Sequence, residues 1–88
     1  MVHTILVMHE QNGDYYRMNK TTFTKLPLIG EHVYNSDGLV YLVEDVVSLA
    51  GYEENKDAIT SILVVKQTEA DEPVSALYGL NLTKDLGI

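Results

Sequence analysis

Short apolar runs separated by turn residues recur along this chain of 88 residues. Residues 2–10 are rich in β-branched side chains, and residues 58–67 form a second run of the same kind. Runs of this length, bounded by Gly, Pro, Asn or Asp, are typical of β-strands. Between residues 2–10 and a returning run at 15–19 lies Asn12-Gly13, which predicts a type I′ turn because both central residues of that turn need positive φ. The first part of the chain is therefore predicted to be a β-hairpin.

The stretch 39–49 is apolar at both odd and even positions, and Glu44 and Asp45 interrupt it. A straight strand with one face in water cannot bury both sets of side chains. A strand that bends or carries a bulge can bury both, so we predict a bend at this acidic pair. The turn residues at 35–38 predict that the short run before them, 31–34, pairs antiparallel with the start of the long strand.

The remaining segments complete an all-β prediction. Three polar or charged segments are predicted to be connections: 20–26, 51–57 and 68–73. Residues 74–82 suit either a short helix or a closing strand, and Gly79 favours the strand. Five to six short antiparallel strands predict a single all-β domain over residues 1–88, a small and partly open barrel with a strongly bent strand at 39–49.

The middle third of the chain carries a pattern of turn and core residues: Leu26-Pro27, Gly30-Glu31, Val33, Gly38, Tyr41, Val43 and Val46. This pattern resembles one found in short bacterial and mobile-element proteins with SH3-like barrels. The resemblance implies an SH3-like barrel for this chain, and it implies no activity.

Composition and charge exclude several classes of function. Cysteine is absent, which excludes disulfides, thiolate nucleophiles and Cys-ligated metals. Arg17, Lys20 and Lys25 lie near two tyrosines, but thirteen acidic against six basic residues give a net charge of −7, which opposes nucleic-acid binding. The first ten residues, MVHTILVMHE, have no basic region, and their apolar run is too short for a signal peptide or membrane span. We therefore expect a cytoplasmic protein with no nucleic-acid or membrane partner.

Candidate catalytic groups are sparse. The spacing of His3, His9 and His32 does not bring three or four ligands onto one ion, so no metal site and no cofactor are predicted. Glu44 and Asp45 either include one carboxylate that points into the barrel, where it would need hydrogen-bond donors, or are both exposed by the bend. No nucleophile motif or phosphate-binding glycine loop occurs, so the chain is not predicted to be an enzyme.

Two functions remain open from the sequence. The first is a non-catalytic protein-interaction module, either self-associating, as a homodimer, or accessory to a larger protein. Surplus apolar residues on both sides of the strands, tyrosines and acidic loops support it. The second is a small-ligand-binding barrel with a pocket near Tyr41, Tyr78, Glu44 and Asp45. The predicted binding residues are Tyr15, Tyr16, Tyr34, Tyr41, Glu44 and Asp45.

Overall fold

The computed structural model describes residues 1–51 and 55–68, and within them the chain is all-β, as predicted. The strands are β1 Val2–His9, β2 Tyr15–Phe23, β3 His32–Tyr34, β4 Val40–Ser48 and β5 Ser61–Gln67. They form one curled, half-barrel sheet in the order β2-β1-β5-β4-β3. The predicted closing strand at 74–82 lies outside the described residues, as do Tyr52, Tyr78 and most of the predicted loop at 68–73.

Two antiparallel hairpins, β1–β2 and β3–β4, are joined by β5. β5 runs antiparallel to β4 but parallel to β1, with Thr4 opposite Ser61 and Met8 opposite Val65. The prediction that all strands are antiparallel is wrong for this pair. Parallel neighbours need a long crossover, and the whole chain between β1 and β5 supplies it.

β2 is longer than predicted, because the polar stretch from Lys20 to Phe23 continues the strand opposite Ile5 to Val2. The loop before β2 also differs from the predicted type I′ turn. Its one residue with positive φ is Gly13 (φ 93°), and the Glu10 N–H donates to the Asp14 carbonyl oxygen at 2.8 Å. A longer loop that ends in a left-handed glycine therefore connects β1 to β2.

The core lies on the concave side of the sheet, which we call the inner face. Residues directly opposite each other on neighbouring strands share a face. Leu6 is opposite Leu63, and Val43 is opposite Val65; all are at most 1% exposed. The core cluster comprises Leu6, Val33, Tyr41, Val43, Leu63 and Val65, with Met8, Met18, Phe23, Leu39 and Val46 packed against it.

Bulges in β4 and β2 curl the sheet. In β4 the extra residue is Glu44, between Val43, opposite Val65, and Asp45, opposite Val64, so the bend predicted at this pair is confirmed. In β2, Met18 and Asn19 together lie opposite Leu6.

The curl brings the two edge strands towards each other. The Asn35 Nδ2–H donates to Asn19 Oδ1 at 3.0 Å, and the Asn19 Nδ2–H donates to Asn35 Oδ1 at 3.4 Å. This amide pair links β2 to the turn after β3 across the open side of the half-barrel.

Candidate functional site

The convex side of the sheet, which we call the outer face, carries a second apolar surface. Its side chains are half-buried, apart from Val47, which is 40% exposed. Contiguous exposed apolar patches mark interaction sites more often than single exposed residues do. The members of this surface, which we call the apolar centre, are Ile5 and Val7 on β1, Ile62 and Val64 on β5, and Leu42 and Val47 on β4.

The strand register orders the outer face into rows that cross the sheet from β2 to β4. The first row is Lys20, Ile5, Ile62 and Val47. The second row is Arg17, Val7, Val64 and Asp45. The third row has Tyr15 opposite His9 at one end and Lys66 opposite Leu42 at the other. Apolar side chains therefore form the middle of the first two rows, and polar groups lie towards the β2 side of all three.

Opposite charges lie at the two ends of the second row. Arg17 and Asp45 are both exposed. Within the part of the chain that the structure describes, neither lies within ion-pair distance of an opposite charge. Lys20, by contrast, contacts Asp57, with Nζ 3.1 Å from Oδ2. As far as the described strands and loops go, Arg17 and Asp45 are therefore available to a charged partner.

The β4 bulge turns both carboxylates of the acidic pair towards the outer face. Asp45 lies opposite Val64, and its Oδ1 accepts the Val46 N–H at 2.8 Å. Glu44 Oε2 lies 2.9 Å from His9 Nδ1, and each of these side chains is about one-third exposed, at 29% and 33%. Of the two arrangements left open by the sequence, the structure has the one in which the bend exposes both groups.

Glu44, His9 and Tyr15 line a shallow depression of about 560 Å³ on the outer face. The His9 and Tyr15 rings are stacked, with centroids 4.6 Å apart and planes 6° from parallel. Stacking and the carboxylate contact hold the imidazole from two sides. Ile29, 64% exposed, forms part of the rim. The depression therefore combines a fixed polar cluster with an exposed apolar residue.

The structure brings Tyr15, Glu44 and Asp45 together and places the other predicted binding residues elsewhere. Tyr41 is 3% exposed in the core, and its hydroxyl donates to Asp37 Oδ2 at 2.6 Å, which ties the strand to the turn before it. Tyr16 is 55% exposed and lies opposite Met8. The predicted pocket that joined Tyr41 to Glu44 and Asp45 is wrong in this respect, because Tyr41 faces inwards while both carboxylates face outwards.

Tyr34 lines a different cavity, a groove of about 490 Å³ between the edge strands β2 and β3. Phe23 and Val33 give it apolar walls, and Thr21 and Asn35 add polar groups. Apolar walls with a few polar groups are typical of small-molecule sites. The groove is the part of the described structure that fits the small-ligand hypothesis.

Sequence reasoning did not select Arg17, His9 or Ile29 for this site. The odd-numbered position of His9, shared with Ile5 and Val7, signals that it faces outwards with them. The role of Arg17 has no local signal, since its row is completed by Asp45 and Val64, which lie 28 and 47 positions later in the printed sequence. Among the described residues, no three His, Asp or Glu side chains are grouped to hold a metal ion.

No family model, curated protein or solved structure matches this chain. The similarity to SH3-like barrel proteins of bacteria and mobile elements therefore stays a prediction. In the ranges that the structure describes, no helix is long and apolar enough to cross a membrane. Function is accordingly inferred from the geometry of the outer face and the groove.

Proposed function

We propose that this protein is a non-catalytic interaction module that docks another protein chain on its outer face. The observation that carries the proposal is the apolar centre, flanked by the exposed charges of Arg17 and Asp45. Protein interfaces combine an apolar core with a polar rim, and Tyr and Arg are enriched in them. Tyr15, 65% exposed, lies on the same rim as Arg17.

The size of this surface predicts a modest affinity. Neighbouring strands lie about 4.8 Å apart and same-face residues about 6.8 Å apart, so the rows span roughly 14 by 14 Å between backbones. A standard interface covers about 800 Å² per partner, which is more than these rows offer. The side chain of Ile29, 64% exposed, enlarges the contact beside β4. We expect dissociation constants in the micromolar range.

The test replaces Val64, in the middle of the second row, by lysine. A partner would then have to bury a charge at the centre of the contact, so Val64→Lys should abolish association. Folding should change little, because the Val64 side chain is only half-buried and lies on the outer face, away from the core. Thr24→Lys, at an exposed position outside the strands, is the matched control.

Sedimentation velocity from about 5 to about 500 µM covers micromolar self-association. A second assay compares which proteins the wild type, Val64→Lys and Thr24→Lys retain from a lysate. Support is an association that Val64→Lys loses and Thr24→Lys keeps. A chain that stays monomeric, together with a retained set that Val64→Lys does not alter, would contradict the proposal.

A second candidate function is binding of a small uncharged ligand, and the groove between β2 and β3 favours it. Thr21, Phe23, Tyr34 and Asn35 in its lining carry no formal charge. A ligand that binds the folded state raises its melting temperature. A thermal-shift screen of uncharged aromatic metabolites should then find a stabiliser whose effect Tyr34→Ala removes and Tyr16→Ala, outside the groove, leaves intact. A screen with no such compound would dismiss this function.

A further inference from the structure

We infer that the outer face binds a second copy of this chain, and that the two copies are related by a two-fold axis parallel to β1 and β5 and passing between them. This inference rests on the proposed function and adds to it the identity and the orientation of the partner. It is carried by charge complementarity along the second row.

The two ends of the second row complement each other under this rotation. Arg17 stands on β2 and Asp45 on β4, with Val7 and Val64 between them. A two-fold axis parallel to the strands, at the middle of the row, lays β2 of one copy over β4 of the other. Arg17 then faces the partner subunit's Asp45, and by symmetry Asp45 faces the partner subunit's Arg17. At the centre, Val7 of each copy faces the partner subunit's Val64.

A two-fold axis in the same plane but perpendicular to the strands gives the opposite result. It lays β2 over β2 and β4 over β4. Arg17 and Lys20 of one copy would then approach the same basic strand of the partner, and Asp45 would approach a second acidic strand. Like charges across an interface are unfavourable, so the charges favour the axis parallel to the strands over the perpendicular one.

Among the described residues, Arg17 and Asp45 are the oppositely charged pair that this rotation brings face to face. Lys20 is already in contact with Asp57, and Glu44 is in contact with His9. Lys66, exposed on β5 in the third row, faces the His9 side of the partner under the same rotation. The outer face is convex, so two copies touch first at the apolar centre and diverge towards β2 and β4. Packed sheets lie about 10 Å apart, and the long arginine side chain suits the wider gap at the edge.

The test uses charge reversal in two single variants and in their mixture. In a dimer of Arg17→Glu, the new carboxylate faces the partner subunit's Asp45 at both symmetric contacts. In a dimer of Asp45→Arg, two guanidinium groups face each other at both contacts. Each variant should dimerise about tenfold more weakly than the wild type, or weaker still, because two attractions become two repulsions.

An equimolar mixture of Arg17→Glu and Asp45→Arg should recover wild-type affinity, as a heterodimer. One contact then has the new carboxylate facing the new guanidinium, and the other keeps the original Arg17 and Asp45. Lys25→Glu, which changes the charge by the same amount as Arg17→Glu but lies outside the rows, should dimerise like the wild type. Recovery in the mixture also shows that both variants are folded.

Sedimentation equilibrium of the single variants and the mixture separates the possible failures. Single variants that dimerise like the wild type, or a mixture no better than its components, would overturn the two-fold arrangement. If Val64→Lys still dissociates the dimer in that case, the outer face remains the interface and only the orientation is wrong. A wild-type chain that is monomeric at all concentrations overturns the inferred second copy. The proposed docking function then stands or falls with the lysate comparison.

Discussion

Val64 and Val65 are neighbours of the same residue type on β5, yet they lie in different environments. Val65 is 0% exposed on the inner face, opposite Val43 and Met8. Val64 is half-buried on the outer face, opposite Val7 and Asp45. The residue type does not distinguish core from surface here; the direction in which the sheet curls does, because the concave side closes over its own side chains.

The same contrast holds along β1, where Leu6 is 0% exposed and the adjacent Ile5 and Val7 are half-buried. Burying apolar area stabilises the folded state by about 25 cal/mol per Å², so the inner face supplies most of the folding free energy. The apolar area that stays exposed on the outer face can still be buried against a partner. In our proposal, association buries this remaining area.

The largest expected difference between the two faces is in how much a leucine on each contributes to the free energy of unfolding. Leu63→Ala should lower the free energy of unfolding by about 3 kcal/mol, because Leu63 is fully buried and its loss leaves a cavity. Leu42→Ala, on the outer face, should cost about 1 kcal/mol, since Leu42 is only half-buried. Urea unfolding of both variants measures the difference.

Similar losses for the two leucines would mean that the outer face is also covered in the folded protein. The unfolding should be followed at low protein concentration, so that dissociation of a dimer does not add to the measured stability of the wild type.

A smaller loss of stability is expected at the amide pair that closes the open side of the half-barrel. Asn35 is 5% exposed and exchanges hydrogen bonds with Asn19 across the open side of the half-barrel. Asn35→Ala should cost about 1–2 kcal/mol, because the Asn19 amide loses its partner. Water then reaches the inner face, so the exposure of its side chains becomes more similar to that of the outer face.

The adjacent, exposed Ser36 provides the control, and Ser36→Ala should stay within about 0.5 kcal/mol of the wild type. In the double variant Asn19→Ala/Asn35→Ala, the loss of unfolding free energy should be smaller than the sum of the two single losses, because each single variant already removes the same amide pair. Additive losses, measured by urea unfolding, would show that the amide pair does not hold the edges together.

Local features of the fold could be predicted from the sequence. The turn at 35–38, the hairpin across it and the bend at Glu44 all depend on residues within a few positions of each other. The parallel pairing of β1 with β5 could not be predicted, because Thr4 and Ser61 are 57 residues apart. The polar end of β2 has the sequence pattern of a loop, since an edge strand needs little apolar periodicity.

The candidate site was predictable to a similar degree. Glu44 and Asp45 stand out because they interrupt an apolar strand, and Tyr15 because it follows a turn beside a second tyrosine. That these three residues meet His9 on one face follows from the strand order, which no local pattern encodes. Tyr41 resembles an exposed binding residue in sequence, but its hydrogen bond to Asp37 satisfies its hydroxyl inside the fold.

The place of β5 in the sheet also determines when this chain can fold. The two hairpins form from neighbouring sequence, but each lacks the strand that lies between them, and that strand is the last of the five to leave the ribosome. The Thr4 hydroxyl donates to the Ser61 carbonyl oxygen at 2.8 Å, and this acceptor is synthesised 57 residues after Thr4. Pairings this distant in sequence slow folding, and apolar surfaces stay open to chaperones until synthesis passes Gln67. A nascent chain cut short before that residue loses the joint between both hairpins, and with it the core.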